Sequence, residues 1–204
     1  MIDYLYRITH IDNIPHILSF GITHQTSPNA NPDYTDIGNA SIIGKRHVAT
    51  VVTVDNENLN LGNFIPFYFY VRMPMLYCIK NGFGVKQVNQ EDIVYLVVEF
   101  KPIINDPERN SFFSDAHAVW RNAKFFGIRH IKSIDTILDC SAIHSNDWGS
   151  DNIIKERKQA EFLVDGDIPV EYLYAILCYN EKAKNRLEAM GVKCPVHVWR
   201  QAYY

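Results

Sequence analysis

The stretch Lys155-Glu156-Arg157-Lys158-Gln159-Ala160-Glu161-Phe162-Leu163-Val164 holds the carboxylate best placed for chemistry. A cationic, polar run delivers Glu161 into an apolar triplet, Phe162 to Val164, that suits a buried strand. Glu161 is thus expected where a charged loop enters a core. A carboxylate there is either neutralised by nearby cations or works on a substrate. Pairing with Arg157 or Lys158 is the plain alternative, and this window alone leaves both open.

Few other side chains offer comparable chemistry. Arg7, near the end of a Tyr4–Thr9 strand, has the fork geometry to hold a phosphate, or is a surface strand residue. Arg46 has the same capacity, against the commoner fate of a solvated cation. His117, two residues after Asp115, is a base or donor, or a satisfied core or helix-surface histidine. Asp115 with Glu161 would supply a glycosidase's two carboxylates, but nothing in the sequence brings them together. There is no glycine-rich dinucleotide or phosphate loop, no His-Glu-x-x-His and no Gly-x-Ser-x-Gly elbow. Cys78, Cys140, Cys178 and Cys194 lie far apart without a Cys-x-x-Cys pair, which disfavours a zinc site from cysteines, and the scattered histidines give no sequence support for any metal. All but Cys140 read as buried thiols among apolar neighbours.

The elements that must position these groups follow from the pattern. Tyr4 to Thr9 reads as a strand, followed by a helix capped by Asp12 or Asn13, with Pro15 in its first turn and Gly21 at its end. Thr23 to Asp36 is a polar loop rich in Asn and Pro. Ile37 to Val48 forms a short helix or ordered turn carrying Lys45 and Arg46. Val51 to Val54 is β-branched, and Asp55 to Asn63 is a turn-rich link. Phe64 to Val71 is the strongest strand signal and is expected to be covered on both faces, as is Ile93 to Phe100. Ser114 or Asp115 is expected to cap a helix through His117. Strands at Tyr174–Cys178 and Val196–Trp199 flank an amphipathic helix from Glu181 to Met190. Helices and strands do not alternate regularly. The fold class is therefore α+β with a mixed, mostly antiparallel core, rather than a doubly wound parallel sheet.

Composition sets the outer bounds. At 204 residues with 47% hydrophobic and 13% aromatic side chains, the chain supports one domain, residues 1–204, with a real core. Mean hydropathy of -0.16 fits a soluble globule. No apolar run has membrane-span length, and Met1-Ile2-Asp3-Tyr4 lacks the start of a signal peptide, so the expected setting is the cytoplasm with no membrane partner. A net charge of -3 argues against broad nucleic-acid affinity, although Lys45-Arg46-His47 and Lys155–Lys158 are locally basic.

Taken together, several blocks resemble one family. Tyr6-Arg7-Ile8-Thr9-His10 is similar to the Tyr-His-Ile-Thr-His opening of DarT-type DNA ADP-ribosyltransferases, the toxins of DarT–DarG toxin–antitoxin systems. Phe64-Ile65-Pro66-Phe67-Tyr68-Phe69 with Arg72-Met73-Pro74-Met75-Leu76-Tyr77 resembles their Val-Pro-Phe-Tyr-Phe…Arg-Ser-Pro-Met-Leu-Tyr block. Asp115-Ala116-His117-Ala118 resembles their Asp-x-His-Ala segment. Arg157 to Val164 matches their Arg-Gln-Ala-Glu-Phe-Leu-Val block. These blocks keep the family's order across nearly the whole chain. One departure is Arg7, where the family's first block has histidine.

The resemblance implies an ADP-ribosyltransferase fold, a split, mostly antiparallel β core with surrounding helices and NAD in the cleft. It implies transfer of ADP-ribose from NAD to a base of single-stranded DNA, with release of nicotinamide. Glu161 falls on the catalytic glutamate and Arg46 on the catalytic arginine, with Lys45 as the neighbouring alternative. Arg7, Ile8, Thr9, His16 and Arg46 are the expected NAD contacts. Arg72, His117, Lys155, Arg157 and Lys158 are the expected lining of a groove for the strand, and a DarG-like macrodomain antitoxin is the implied partner. The competing readings are transfer to RNA or protein, and a non-catalytic nucleic-acid-binding module on the same fold. The modified base does not follow from these residues.

Overall fold

The computed structural model describes residues 2–204. Its elements are β1 (Tyr4–His10), α1 (Ile14–Phe20), α2 (Ala40–Val48), β2 (Thr50–Val52), β3 (Asn58–Asn60), β4 (Phe64–Tyr68), α3 (Pro74–Asn81), β5 (Ile93–Glu99), α4 (Phe100–Asn105), β6 (Ser111–Ser114), β7 (Phe125–Gly127), α5 (Ile134–Ile137), α6 (Cys140–His144), α7 (Asn152–Lys158), β8 (Glu161–Asp165), β9 (Leu173–Cys178), α8 (Glu181–Ala189) and β10 (Val196–Val198). Eight strands form one sheet in the order β10-β9-β5-β1-β4-β8-β6-β7, while β2 and β3 make a separate hairpin. Only the β9–β10 pair is parallel among these strands. The expected mixed, mostly antiparallel α+β core is what the chain builds.

Strand β5 shows why the sheet is central. Every residue from Ile93 to Val98 is buried. Val94, Leu96 and Val98 enter one core, with α1, α4 and α8 residues such as Ile14, Ile103 and Leu187. Ile93, Tyr95 and Val97 enter the other, with Leu76 and Ile79 of α3 and the C-terminal Tyr203. A strand covered on both faces needs no polar alternation, which is how its sequence reads.

The sheet is nearly divided in the middle. β1 pairs with β5 along its whole length, from Tyr4↔Glu99 to His10↔Ile93. On its other side it meets β4 only at Tyr6↔Tyr68. Arg7 helps to set this opening, because its Nη1 donates to the Pro66 carbonyl at 2.9 Å. Pro66 has no N–H to give to a neighbouring strand, so its position suits a strand left partly unpaired. From Arg7 onward β1 therefore diverges from β4, and a cleft opens between them.

Several local expectations change. The Phe64–Val71 segment stops being a strand at Tyr68, and its burial alternates, with Ile65 and Phe67 inside and Phe64, Pro66 and Tyr68 half-buried. That second face is a cleft wall rather than a covered core. Ser114 caps no helix. It ends β6, and residues 115–124 form a turn returning to β7. Asn13 makes no capping bond with its side chain. The run before Glu161 is a helix, α7, capped by Asp151, and not a loop. The 55–63 link contains β3. Cys78 and Cys194 are half-buried, Cys140 is exposed, and only Cys178 is fully inside.

Candidate active site

Glu161 is the first residue of β8 and is 1% exposed. It pairs across the sheet with Tyr68, the last residue of β4, so both side chains lie on one face at the mouth of the cleft. Its surroundings account for a buried carboxylate. Arg46 Nη1 donates to Oε2 at 2.7 Å, and the Ala118 N–H donates to Oε1 at 3.2 Å. His117 Nε2 stands 3.9 Å from Oε1, with its Nδ1 3.9 Å from Glu156. Glu161 therefore pairs with neither Arg157 nor Lys158. Its partners come from 115 and 43 positions away in the chain.

Ser114 fixes this arrangement from below. Its hydroxyl accepts from the Glu161 backbone N–H at 3.1 Å and donates to the Ala116 carbonyl at 2.6 Å. One buried side chain thus locks the start of β8 to the turn that supplies the Ala118 N–H. Arg46 comes from α2, a helix capped by Asn39 through the Ile42 N–H at 3.1 Å. Lys45, Arg46 and His47 fall in its last turn, where the helix dipole favours cations. Arg46, and not Lys45, is the residue that reaches Glu161. Its Nη2 is buried and has no hydrogen-bond partner among the described residues, so the guanidinium keeps an unused donor.

The cleft beside this pair has a volume of about 570 Å³. Arg7, Ile8, Thr9, His16 and Arg46 all line it, and so do His117, Lys155 and Glu161. The loop between α1 and α2 forms much of the outer wall and is firmly tied down. Asp167 accepts from the His24 N–H at 2.7 Å and the Ser27 hydroxyl at 2.6 Å. His16 Nε2 donates to the Asn29 carbonyl at 2.9 Å. Asn13, buried at the β1–α1 junction, donates to Thr9 Oγ1 and to the Thr35 carbonyl, each at 2.9 Å, and accepts from the Thr35 N–H. Asn13, Ser114 and Tyr68 escaped sequence reasoning as site residues. The first two look like helix caps, and Tyr68 looks like one more core aromatic. Tyr68 keeps its proton, because burial above all, and then the Glu161 charge, raise its pKa more than Arg46 and Arg7 lower it. It offers a hydroxyl at the cleft, directed at Met75 Sδ 3.5 Å away.

Three of the residues expected along the strand do not line this cleft. Lys158 is 1% exposed, with Nζ 2.9 Å from the Ile143 carbonyl and 3.4 Å from that of Val71. It ties α6 to the bend after β4 and presents no charge to a groove. Asn152 and Ile153 at the start of α7 are exposed, residues 154–157 are half-buried, and the helix end dives into the core. Arg72 has a left-handed backbone, φ 56°, and its N–H donates to the Tyr95 hydroxyl at 2.9 Å. Its guanidinium lies over the Tyr204 ring, 4.7 Å from the centroid. Arg72 thus seats the C-terminus. Arg157 is half-buried and not on the cleft wall.

The sheet split, the buried Arg–Glu pair and the cleft can be set beside known proteins. The family model described as DarT, ssDNA thymidine ADP-ribosyltransferase, matches residues 6–204. The chain belongs to this family. A DNA ADP-ribosyl transferase from Thermus sp. (strain 2.9) is 34% identical over 87% of the chain and 82% of its own length. A DNA ADP-ribosyl transferase–DNA ADP-ribosyl glycohydrolase fusion protein of Thermosipho africanus is 26% identical over 90% of the chain and 44% of its own length. The structure of Thermus sp. 2.9 DarT with ADP-ribosylated ssDNA superposes with a TM-score of 0.86 at 30% identity, covering 100% of this chain and 97% of that one. The same DarT with NAD+ gives a TM-score of 0.78 at 28% identity, covering 100% and 98%. As a DarT, the protein is an NAD-dependent ADP-ribosyltransferase toxin acting on thymidine in single-stranded DNA. The base, which the sequence left open, is thymine. No helix among the described residues is long and apolar enough to cross a membrane.

Proposed function

We propose that Glu161 and Arg46 are the catalytic pair of this reaction, that Arg7, Ile8, Thr9, His16 and Arg46 hold NAD in the cleft, and that His117 and Lys155 guide the acceptor strand. The carrying observation is the buried Arg46–Glu161 ion pair at the sheet split, whose guanidinium still has an unused buried donor. Such a donor, beside a cleft of about 570 Å³ that is also lined by Arg7, suits an anionic dinucleotide. The unpaired edge of β1 beyond Tyr6 leaves backbone groups near Ile8 for the nicotinamide amide.

NAD supplies an ADP-ribosyl group whose ribose carbon becomes cationic as the bond to nicotinamide breaks and its electron pair leaves with nicotinamide. Glu161 faces that charge and accepts from a ribose hydroxyl, so it stabilises the transition state more than the ground state. Thymine in a nucleoside has one N–H, at N3, and its nitrogen forms the new bond while Glu161 takes the proton. Arg46 orients the carboxylate and grips phosphate. A guanidinium is too weak an acid to serve as the base. Pairing hides N3 in a duplex, which accounts for a single-stranded substrate.

The chain works as one domain, 1–204, in the cytoplasm where NAD and DNA both occur, and a DarG-like macrodomain removes the product. The fusion of both activities in the Thermosipho relative supports that partnership. The test is mass spectrometry of single-stranded oligonucleotides after incubation with NAD. Native protein is expected to add one ADP-ribose only where thymidine is present, and Glu161→Gln to lower the rate by about 10²–10³-fold. An undiminished rate for Glu161→Gln overturns the catalytic assignment.

A further inference from the structure

A second cavity, of about 410 Å³, is lined by Lys45, next to Arg46 in the chain, and by Ala118, whose N–H binds Glu161. Its walls include Lys45, Val51, Ala118, Trp120, Arg121 and Phe125. The same two segments build both cavities. Arg46 and His117 face the NAD cleft, while the adjoining Lys45 and Ala118 face this one. The Ala118 N–H that binds Glu161 joins the two spaces at the catalytic carboxylate. The walls are held together by the Val54 N–H donating to the Phe125 carbonyl at 2.9 Å, which ties the β2–β3 hairpin to β7.

The chemistry of this cavity is specific. Trp120 is half-exposed, and among the described residues its indole makes no hydrogen bond or ring contact. Its backbone is fixed by a tight turn, with the Trp120 N–H donating to the His117 carbonyl at 2.8 Å. Lys45 and Arg121 are exposed, and neither side chain forms an ion pair or hydrogen bond among the described residues. Among the described residues no carboxylate lines the wall. A free aromatic ring in the same cavity as two unneutralised cations is how a protein holds a base and its flanking phosphates.

We propose that this cavity binds the nucleotide adjoining the modified thymidine, with its base stacked on Trp120 and the backbone phosphates on Lys45 and Arg121. The proposal rests on the single-stranded DNA reading above. The strand then crosses the Arg46–Glu161 pair, with the target base turned toward the NAD cleft and its neighbour held here. In a protein of net charge -3, one seated neighbour supplies the register that general electrostatics do not.

The test is fluorescence polarisation without NAD, with modification rates measured in parallel. The oligonucleotides carry one thymidine and a single abasic site at successive flanking positions. Trp120→Ala is expected to weaken binding of the intact strand about 5- to 150-fold, the range for one base on one aromatic ring. The KM for NAD stays within about twofold, and Trp120→Phe recovers most of the affinity. At one position next to the thymidine, the abasic site weakens native protein by the same factor and Trp120→Ala no further. Losses that multiply at every position, or unchanged binding by Trp120→Ala, overturn the proposal. Coupled binding without any modification by native protein would instead overturn the reaction and leave the site standing.

Discussion

The two halves of the Arg46–Glu161 pair are held in opposite ways. Glu161 starts a strand in the middle of the sheet, and Phe162, Leu163 and Val164 behind it are completely buried. Its backbone is bound to Ser114 and its carboxylate to the Ala118 N–H. Arg46 rides on α2, which buries none of its residues. That helix is held by polar contacts at its rim, such as Asn39 Nδ2 to the Gly84 carbonyl at 2.9 Å and Gln25 Nε2 to His47 Nδ1 at 3.1 Å. The lesson is a division of labour. In the proposed mechanism the carboxylate that must not move belongs to the core, and the cation proposed to meet the dinucleotide belongs to an element with little apolar packing. Such elements open locally at low free energy.

Mutating the two partners should expose that asymmetry most strongly. Arg46→Ala leaves a carboxylate in the core without its counter-charge, and is expected to lower stability by about 3 kcal/mol. Glu161→Ala leaves a cation that can swing out with α2 into water, and should cost less, about 1 kcal/mol, chiefly for the Ala118 N–H left unpaired. Urea denaturation at neutral pH measures both. Equal losses would mean that α2 is seated as firmly as β8.

Gly62 sharpens the comparison from the loose side. A Cβ there would lie 2.9 Å from the His47 Cα and 3.2 Å from its carbonyl oxygen, both backbone atoms of α2. Gly62→Ala therefore pushes the helix outward. A displacement near 1 Å at a catalytic group can lower the rate about 10²-fold. A loss of about ten- to a hundredfold in kcat/KM is expected, while the urea midpoint barely moves because the core is untouched. Unchanged kinetics would show that α2 absorbs the push without carrying Arg46 away.

Ser114 tests the firm side. Ser114→Ala removes the acceptor for the Glu161 N–H and the donor to the Ala116 carbonyl in a buried place. Leaving such groups unpaired costs about 1–3 kcal/mol. Activity should fall less than for Gly62→Ala, because β8 still fixes the Glu161 backbone through its ladder with β4. A stability loss below about 0.5 kcal/mol would deny Ser114 its locking role.

The firm half was also the more legible in the sequence. Glu161 before Phe162-Leu163-Val164 announces itself, because a charge abutting a strand-forming triplet is a local pattern. The apolar Ile93–Val98 run and the α8 helix are local in the same sense. Arg46 was found through resemblance, since nothing near Lys45-Arg46-His47 distinguishes a buried cation from a solvated one. Residues 115–124 misled, because Ser114-Asp115 is a good cap sequence while the segment is a turn between two short strands. Tertiary pairing of β6 with β8 overrides the local preference there. Asn13 shows the same failure at smaller scale. A residue suited to capping a helix instead ties the cleft wall to the loop.

Lys158 is the case in which local reading pointed the wrong way, and it yields the subtlest prediction. It belongs to a run of cations but lies inside, and among the described residues no carboxylate makes an ion pair with it. Burial first, and the nearby Arg72 charge second, push its pKa down to about 8 from 10.5. The sign follows from linkage. Between about pH 8 and 10.5 the unfolded chain holds the Lys158 proton and the folded chain has released it, so this residue makes stability rise with pH across that window. Below pH 8 both states are protonated, and the penalty of a buried charge applies in full. Lys158→Met keeps the bulk and removes the charge. The native protein minus Lys158→Met should show a stability difference that moves in the native protein's favour from pH 8 to 10, by at most about 1.4 kcal/mol per pH unit. A flat difference over that range would mean that the Val71 and Ile143 carbonyls solvate the ammonium as well as water does.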